Sequence, residues 1–300
     1  MERVPINLGD GNLVLKEVDS LKSLAILSHK GGVGKTSIAV NLGCHLAKIG
    51  KNVIILDNDF SGPSLVTFFQ KNTSVNWLND YLMTGENLDL CLQDVSPSLD
   101  LSGRLYVGFA DPTPERIQTI IRIDQKTSIA MLRHLITLKK AVRSPPYDID
   151  YLIVDCSPGT GYSTVNVILT TDSSLFIVKL SNADLYGTSQ MISGLYTQLK
   201  NRTLVLANLI PSNVLVSGNL SLIEQLIEKR FTQEVGDKVV EFLGWIPTDL
   251  ELQTVEFNEA VKSLKEQPSQ RNIFTLHNPS HIFSRILIDL IPTLFGEEGY

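Results

Sequence analysis

A segment rich in lysine and glycine carries the clearest chemistry in this sequence. It reads Lys30-Gly-Gly-Val-Gly-Lys-Thr36 and lies between an apolar run, Leu24–Ser28, and a helical pattern, Gly34–Ile49. Glycines let successive backbone N–H groups converge on a phosphate, and a helix N-terminus adds the positive end of its dipole. Lys35 would neutralise β- and γ-phosphate charge, and the Thr36 hydroxyl suits Mg²⁺. The segment therefore predicts a nucleotide phosphate site.

Two other interpretations of this segment are weaker. A glycine-rich turn can precede a helix by chance, and a dinucleotide site is suggested by Asp57 at the end of the next apolar run. However, the pattern G-x-G-x-x-G is incomplete, because Gly32 and Gly34 fit its first two glycines and Ser37 stands at the third. The plain phosphate-loop template G-x-x-x-x-G-K-[ST] is also missed, since His29 replaces its first glycine.

Two acidic segments each follow an apolar run. Leu56–Ser64 reads LDNDFSGPS, and Tyr151–Gly161 reads YLIVDCSPGTG. Phosphoryl transfer to water needs an oriented water and a nearby proton acceptor rather than a covalent nucleophile. Asp155, which ends an apolar strand pattern, is placed to hold Mg²⁺ through water. An ordinary strand-end turn remains the alternative for the first segment, and Cys156 in the second is expected to be a small packed residue.

Composition limits the class of protein. The 300 residues are 43% hydrophobic and 19% charged, with a net charge of −6, so the chain is neither disordered nor a membrane bundle. The acidic balance argues against a surface that binds nucleic acid throughout. Cys44, Cys91 and Cys156 form no CxxC pair, no secretory signal is recognisable, and no apolar run approaches the roughly 20 residues that span a bilayer. We therefore expect a soluble cytoplasmic protein.

The positioning elements alternate between short apolar runs and longer helical patterns. Strands are predicted at Leu24–Ser28, Val53–Asp57, Leu105–Phe109, Tyr151–Asp155, Leu175–Lys179, Thr203–Asn208 and Phe242–Ile246. Helices are predicted at Gly34–Ile49, Ser128–Val142, Tyr186–Leu199, Leu220–Thr232, Leu250–Gln267 and His281–Ile291. This order predicts an α/β fold, a doubly wound, mostly parallel sheet with helices on both faces. We expect one domain over residues 23–300, an extension without an assigned role over 1–22, and an excursion from the sheet over 61–102.

The phosphate segment resembles the deviant Walker A loop, x-K-G-G-x-G-K-[ST], of the MinD/ParA/Mrp P-loop ATPases. The resemblance covers about residues 23–265. It implies a nucleotide-sandwich homodimer in which Lys30 reaches the partner's phosphates. It also implies that Asp59 positions or activates the attacking water and that Asp57 helps to order the water shell of the metal, alongside Thr36 and Asp155. The implied nucleotide-binding residues are Lys30, Gly31, Gly32, Val33, Gly34, Lys35, Thr36, Ser37, Asn208, Pro247 and Asp249, the last three on the adenine side.

Within that family, the patterns D-x-x-G-P-S and P-G-T-G look like the Mrp branch, whose members carry iron–sulfur clusters on a C-terminal CxxC. This chain has no cysteine after Cys156, and Tyr162 replaces an acid common in that branch. We therefore expect no iron–sulfur cluster.

Two segments are candidate surfaces for binding a membrane, a nucleic acid or a protein partner. The final segment, His281–Tyr300, has an apolar helix face but only Arg285 as a basic residue, so core packing is favoured over membrane binding. Lys126, Arg133 and Lys140 recur every seven residues, which is typical of a solvated helix face and otherwise suits an acidic partner or a phosphate backbone.

The resulting hypothesis is a Mg²⁺-dependent ATPase, a dimer switched by its nucleotide and stimulated by a protein partner. A regulatory or scaffold protein that binds nucleotide with little hydrolysis is the alternative, and an iron–sulfur cluster carrier is disfavoured.

Overall fold

A computed structural model of the chain describes residues 3–7, 13–17, 21–195, 201–216, 219–235, 240–263 and 272–297. Within these residues the strands form two sheets, one of two strands and one of eight. The small sheet pairs β1 (Arg3–Asn7) with β2 (Leu13–Glu17) in antiparallel orientation, so part of the extension over residues 1–22 has regular structure.

The eight-stranded sheet is the centre of the fold. Its order is β10-β9-β8-β3-β7-β4-β6-β5, and every neighbouring pair is parallel except β5 with β6. The strands are β3 (Lys22–Leu27), β4 (Val53–Asn58), β5 (Gln93–Asp94), β6 (Leu105–Gly108), β7 (Tyr151–Cys156), β8 (Ser173–Val178), β9 (Arg202–Ile210) and β10 (Val240–Pro247). All residues of β4, β7 and β8 are buried, because helices cover both faces of the sheet.

Helices form a layer on each face of this sheet. They are α1 (Lys35–Lys48), α2 (Leu78–Thr84), α3 (Ser96–Leu99), α4 (Pro114–Ile121), α5 (Gln125–Ala141), α6 (Tyr162–Thr170), α7 (Asn182–Gly194), α8 (Ser212–Val216), α9 (Leu220–Val235), α10 (Leu250–Ser263), α11 (Phe274–His277) and α12 (Ile282–Phe295). Helices α1, α11 and α12 contribute to one apolar core, and α2, α5, α6, α7 and α9 contribute to the other.

The predicted fold class is confirmed, and the seven predicted strands are all present within a few residues of their expected ends. The excursion over residues 61–102 returns to the sheet, since it supplies the antiparallel edge strand β5. Six of the described helices were not predicted, namely α2, α3, α4, α6, α8 and α11. The predicted helix over 186–199 instead begins at Asn182, and the predicted ends at 199 and 267 lie outside the described residues.

The last helix packs into the core, as the sequence predicts. Phe283, Leu287, Ile291 and Leu294 of α12 are buried in the core that α1 also lines. Their apolar surface is therefore committed to the interior of the chain.

The carboxyl ends of five strands converge on one edge of the sheet. The glycine-rich segment follows β3, Asp57 belongs to β4, Asp155 to β7, Asn208 to β9 and Pro247 to β10. In open parallel sheets this edge is where ligands bind.

Candidate functional site

The glycine-rich segment forms a loop whose shape is fixed by its own glycine and by two hydrogen bonds. Gly34 has a φ of 95°, a left-handed conformation that a side chain rarely adopts, and α1 begins at the next residue. The Ser28 hydroxyl donates to the Lys30 carbonyl over 2.6 Å. The Asn208 amide donates to the Val33 carbonyl over 2.7 Å. These two hydrogen bonds hold the loop at the Lys30 and Val33 carbonyls. The 14-residue helix α1 begins directly after the loop, so its N-terminus faces the same site.

Thr36 joins this loop to the two acidic segments. Its hydroxyl donates to Asp155 Oδ2 over 2.5 Å and lies 2.8 Å from the Ser64 hydroxyl. The other oxygen of Asp155, Oδ1, is buried without a hydrogen-bond partner in the described residues. A buried carboxylate oxygen of this kind is normally satisfied by water, a proton or a cation, so the position fits a hydrated Mg²⁺.

Asp57 is held by the backbone of the loop that follows it. It is fully buried, and its carboxylate accepts N–H groups from Asp59, Ser64 and Leu65, each over 3.1 Å. Burial and the nearby Asp155 carboxylate raise the pKa of Asp57. Burial likewise raises the pKa of Asp155, against the opposing effects of the Thr36 hydrogen bond and the Lys35 ammonium. A bound cation would therefore stabilise the ionised form of both carboxylates.

Asp59 lies at the junction of both acidic segments. Its Oδ1 accepts the Ser61 hydroxyl over 3.0 Å, the Gly62 N–H over 3.1 Å and the Ser157 hydroxyl over 3.0 Å. Ser157 belongs to the segment after β7, so Asp59 connects the loops that follow β4 and β7. Unlike Asp57, it also lines an open cleft.

That cleft has a volume of about 470 Å³ and runs from the glycine-rich loop to the end of β10. Its lining includes most of the residues that the sequence predicts for a nucleotide site: Gly31, Gly32, Gly34, Lys35, Thr36, Ser37, Asp59, Asn208, Pro247 and Asp249. Val33 does not line it, because its side chain is buried in the core. Nine further residues line the cleft without having been predicted as site residues: Gly62, Ser64, Phe68, Leu209, Ile246, Leu252, Gln253, Glu256 and Phe283.

Asp249 lines the cleft just after the end of β10, and its side chain also stabilises the local structure. Its Oδ1 accepts the Leu252 N–H over 3.0 Å at the start of α10, and its Oδ2 lies 3.4 Å from His281 Nε2. His281 in turn caps α12, since its Nδ1 accepts the Phe283 N–H over 3.2 Å. Asp249 and His281 therefore tie α10 to α12 beside the cleft. No local sequence signal could have paired residues 249 and 281.

Lys30 faces a different part of the surface. It is exposed and lines a second cleft, which it shares with His29, Gly159, Thr160 and residues of α7 that include Tyr186 and Gly187. The His29 ring lies so close to Gly187 that a Cβ there would be 2.2 Å from its Cδ2 and Nε2 atoms. Lys30 thus lies outside the lining of its own chain's phosphate cleft.

The three cysteines have no exposed thiol. Cys44, Cys91 and Cys156 are free and buried, and burial raises the pKa of each thiol. Across the described residues, no three His, Cys, Asp or Glu side chains group as ligands for a metal ion. A Mg²⁺ ion at Thr36 would accordingly take most of its ligands from phosphate and water, as is usual for this ion.

The fold and the glycine-rich loop match those of P-loop NTPases, and comparisons with known proteins narrow this similarity. A family model described as ParA, NUBPL iron-transfer P-loop NTPase, matches residues 20–93. The sporulation initiation inhibitor protein Soj of Bacillus subtilis is 26% identical over 275 residues, which is 90% of this chain and 96% of Soj. The iron-sulfur cluster carrier protein of Pyrococcus furiosus is 27% identical over 237 residues, covering 76% of this chain and 74% of that protein.

Among solved structures, the MinD cell division protein of Aquifex aeolicus superimposes with a TM-score of 0.67 at 22% identity, covering 93% of this chain and 98% of MinD. The chain thus has the fold of MinD and is similar in sequence to proteins of the MinD/ParA/Mrp family of P-loop NTPases. Within the described residues, no helix combines the length and the apolar character needed to cross a bilayer.

Proposed function

We propose that this chain is a Mg²⁺-dependent ATPase that works as a nucleotide-switched homodimer. The observation that carries the proposal is the hydrogen bond between Thr36 and Asp155, because it joins the phosphate loop to a buried carboxylate with one unsatisfied oxygen. That pairing is what a nucleotide-bound Mg²⁺ requires in this class of site. Mg²⁺, when bound, offsets charge on the β- and γ-phosphates.

The chain's own residues supply the remaining functions. The loop N–H groups and Lys35 bind the phosphates, and Asp59 at the cleft wall orients the attacking water. Lys30 reaches the phosphates of a second copy, where its charge stabilises the transition state. Its exposure and its absence from its own cleft support a role across an interface rather than within one chain.

The switch follows from the hydrogen bonds around Thr36. Ser64 contacts the Thr36 hydroxyl and donates its N–H to Asp57, so a change in the partners of Thr36 is transmitted to the loop after β4. Asp59 belongs to the same loop and contacts Ser157 beyond β7. Hydrolysis and phosphate release therefore alter both loops together, and partners that recognise them read the nucleotide state.

The test is the variant Asp59→Ala. It should bind ATP and accumulate as an ATP-bound dimer, because the phosphate loop is intact while the group that orients water is missing. Size-exclusion chromatography with Mg·ATP and a phosphate-release assay measure both properties. Turnover at the wild-type rate would refute the assigned role.

Two control substitutions show whether the effects come from the Asp59 carboxylate and the Lys35 charge. Ser61→Ala removes one donor to Asp59 but keeps the carboxylate, so its turnover should stay near that of the wild type. Lys35→Ala should abolish ATP binding, whereas Lys48→Ala at the exposed end of the same helix should not. A wild-type chain that binds ATP but releases no phosphate, with or without cell extract, would favour the regulatory or scaffold alternative.

Iron–sulfur cluster transfer is a second candidate function, because several similar proteins are cluster carriers and the matching family model is described as an iron-transfer NTPase. The buried thiols and the lack of a cysteine after Cys156 weigh against it. Anaerobic purification followed by iron analysis and absorption spectroscopy decides the matter: bound iron with a visible absorption band would support the carrier, and a colourless, iron-free protein would not.

A further inference from the structure

Helix α5 carries an exposed seam whose pattern the proposed ATPase does not use. One face of the helix is buried through Ser128, Met131, Leu135 and Leu138, on the side where α5 contacts α2 and α6. The opposite face presents five residues at alternating spacings of three and four: Lys126, Ile129, Arg133, Ile136 and Lys140. All five are exposed, and the two isoleucines have exposed fractions of 43% and 41%. We call these five residues the α5 seam.

The spacing of the seam is the one by which helices pack on helices. Residues that alternate every three and four positions repeat every 3.5 residues on average and stay in line along one side of a helix. Successive cations of the seam are about 10 Å apart, since a helix rises about 1.5 Å per residue. A second helix laid along the seam would meet cation, isoleucine, cation, isoleucine and cation in turn.

Among the described residues, the side-chain hydrogen bonds that join α5 to neighbouring elements do not involve the seam side chains. Lys139, which lies next to it in sequence, donates to Asp172 over 2.9 Å and to Ser23 over 2.7 Å, so it belongs to the scaffold. Asn166 of α6 donates to the Ser128 carbonyl over 2.8 Å on the buried side. Asp124, the acidic residue that precedes the helix, accepts the Thr127 N–H as its N-cap, and this hydrogen bond, with a smaller contribution from the Lys126 charge, lowers its pKa. The two isoleucines therefore face solvent. The three cations between and beside them form a positively charged line on a chain whose net charge is −6.

We propose that the α5 seam docks an acidic amphipathic helix of a partner protein. The partner's apolar side chains would cover Ile129 and Ile136, and its carboxylates would face Lys126, Arg133 and Lys140. Burial of the isoleucines supplies affinity, and the three charge pairs fix register and direction.

Other occupants match the seam less well. A second copy of α5 would set cations against cations in either direction. A phosphate backbone would pair with the cations but would leave the isoleucines without apolar contacts. A membrane surface requires a wide apolar face flanked by cations, whereas here the apolar and cationic residues share a single line and the rest of the apolar side is in the core.

The experiment uses a designed probe of this chemical class. A labelled 21-residue helical peptide with leucine and glutamate alternating at spacings of three and four is titrated with the full-length chain by fluorescence anisotropy. A scrambled peptide, a duplex DNA and vesicles of anionic lipid are titrated in parallel. We expect saturable binding of the patterned peptide, with a Kd raised at least about tenfold by Arg133→Glu or by Ile136→Glu.

A matched control lies on α9. Leu222→Glu combined with Lys229→Glu changes an exposed leucine and an exposed lysine seven residues apart and should leave peptide binding unchanged. A charge-swapped peptide, with lysine for glutamate, should bind a Lys126→Glu, Arg133→Glu, Lys140→Glu triple variant better than it binds the wild type. Thermal unfolding of every variant verifies that it is folded, and Arg133→Gln, which removes only the charge, should weaken binding in the same direction.

Failure of the patterned peptide to bind, equal binding of the scrambled peptide, or binding confined to DNA or vesicles would overturn the proposal. None of these outcomes depends on ATP hydrolysis, because the titrations are run both with and without Mg·ATP. The docking proposal can therefore be refuted while the ATPase proposal stands, and the ATPase proposal can be refuted while the docking proposal stands.

Discussion

The buried carboxylates Asp57 and Asp155 illustrate how far individual residues could be predicted. Apolar runs that end in acids locate both from sequence, and the register places them opposite each other on β4 and β7. The three N–H groups that surround Asp57 depend on the path of the loop over residues 59–65, which no short pattern specifies. The same holds for Phe283, which lines the cleft, and for His281, which contacts the cleft residue Asp249; both lie about 30 or more residues after β10 in the sequence.

These two carboxylates predict an unusual dependence of stability on pH. Burial raises the pKa of Asp57 to about 8 and that of Asp155 to about 7, against 3.8 for each as the ordinary value. Between those limits the folded protein keeps protons that the unfolded chain releases, so the metal-free protein should lose stability as the pH rises from about 4 to about 8. Thermal unfolding across this range, without nucleotide or Mg²⁺, measures the effect.

The substitution Asp57→Asn should flatten this dependence, since it removes one of the titrating groups. Glu115→Gln, which changes an exposed carboxylate of α4, should leave the slope as it is. A metal-free protein whose stability is constant or rises over the same range would show that the two carboxylates stay ionised.

At the scale of elements, strands were easier to predict than helices. Continuous apolar runs such as Val53–Asp57 are unmistakable because strands of this kind are covered on both faces. Helices α2 and α4 are short and flanked by polar loops, and α6 begins directly after the glycine-rich segment Pro158–Gly161, so their apolar periodicity is too brief to stand out. The two-residue β5 is defined only by its partner strand.

Contact between the phosphate loop and α7 leads to a prediction with a control on the same helix. The variant Gly187→Ala should force the His29 ring to move, because the added methyl group would overlap it. We expect a loss of about 1 kcal/mol in unfolding free energy and weaker nucleotide binding, with the overlap outweighing the helix propensity that alanine gains. Thermal unfolding and nucleotide titration measure the two effects.

Gly194→Ala meets open space at the end of α7 and should be neutral or slightly stabilising. If His29 is the cause, adding His29→Ala to Gly187→Ala should restore nucleotide binding. Equal behaviour of the two glycine variants would indicate that α7 does not position the loop.

At the scale of the whole molecule, the position of Lys30 allows cooperation between chains to be tested by mixing. Lys30→Ala and Asp59→Ala should each be nearly inactive alone. In a mixed dimer, the Lys30→Ala chain keeps its own Asp59 and receives Lys30 from its partner, so one complete site is formed. ATPase activity should therefore reappear on mixing and rise with total protein concentration.

A mixture that stays as inactive as its components would mean that Lys30 acts within its own chain or not at all. Lys48→Ala, at another exposed lysine not involved in the site, mixed with Asp59→Ala provides the reference activity for simple dilution of an active chain.

The strand β5 has a consequence for how copies of this protein associate. It ends the sheet with two residues, runs against its neighbour, and has Asp94 paired with Arg104 over 2.6 Å. An edge strand this short and charged offers few free backbone N–H and C=O groups to an incoming strand. Filament growth through continuous β-sheet pairing is therefore disfavoured on that side. On that side of the sheet, reversible association of two molecules is left to loops and helix surfaces, whose shape a small ligand can govern.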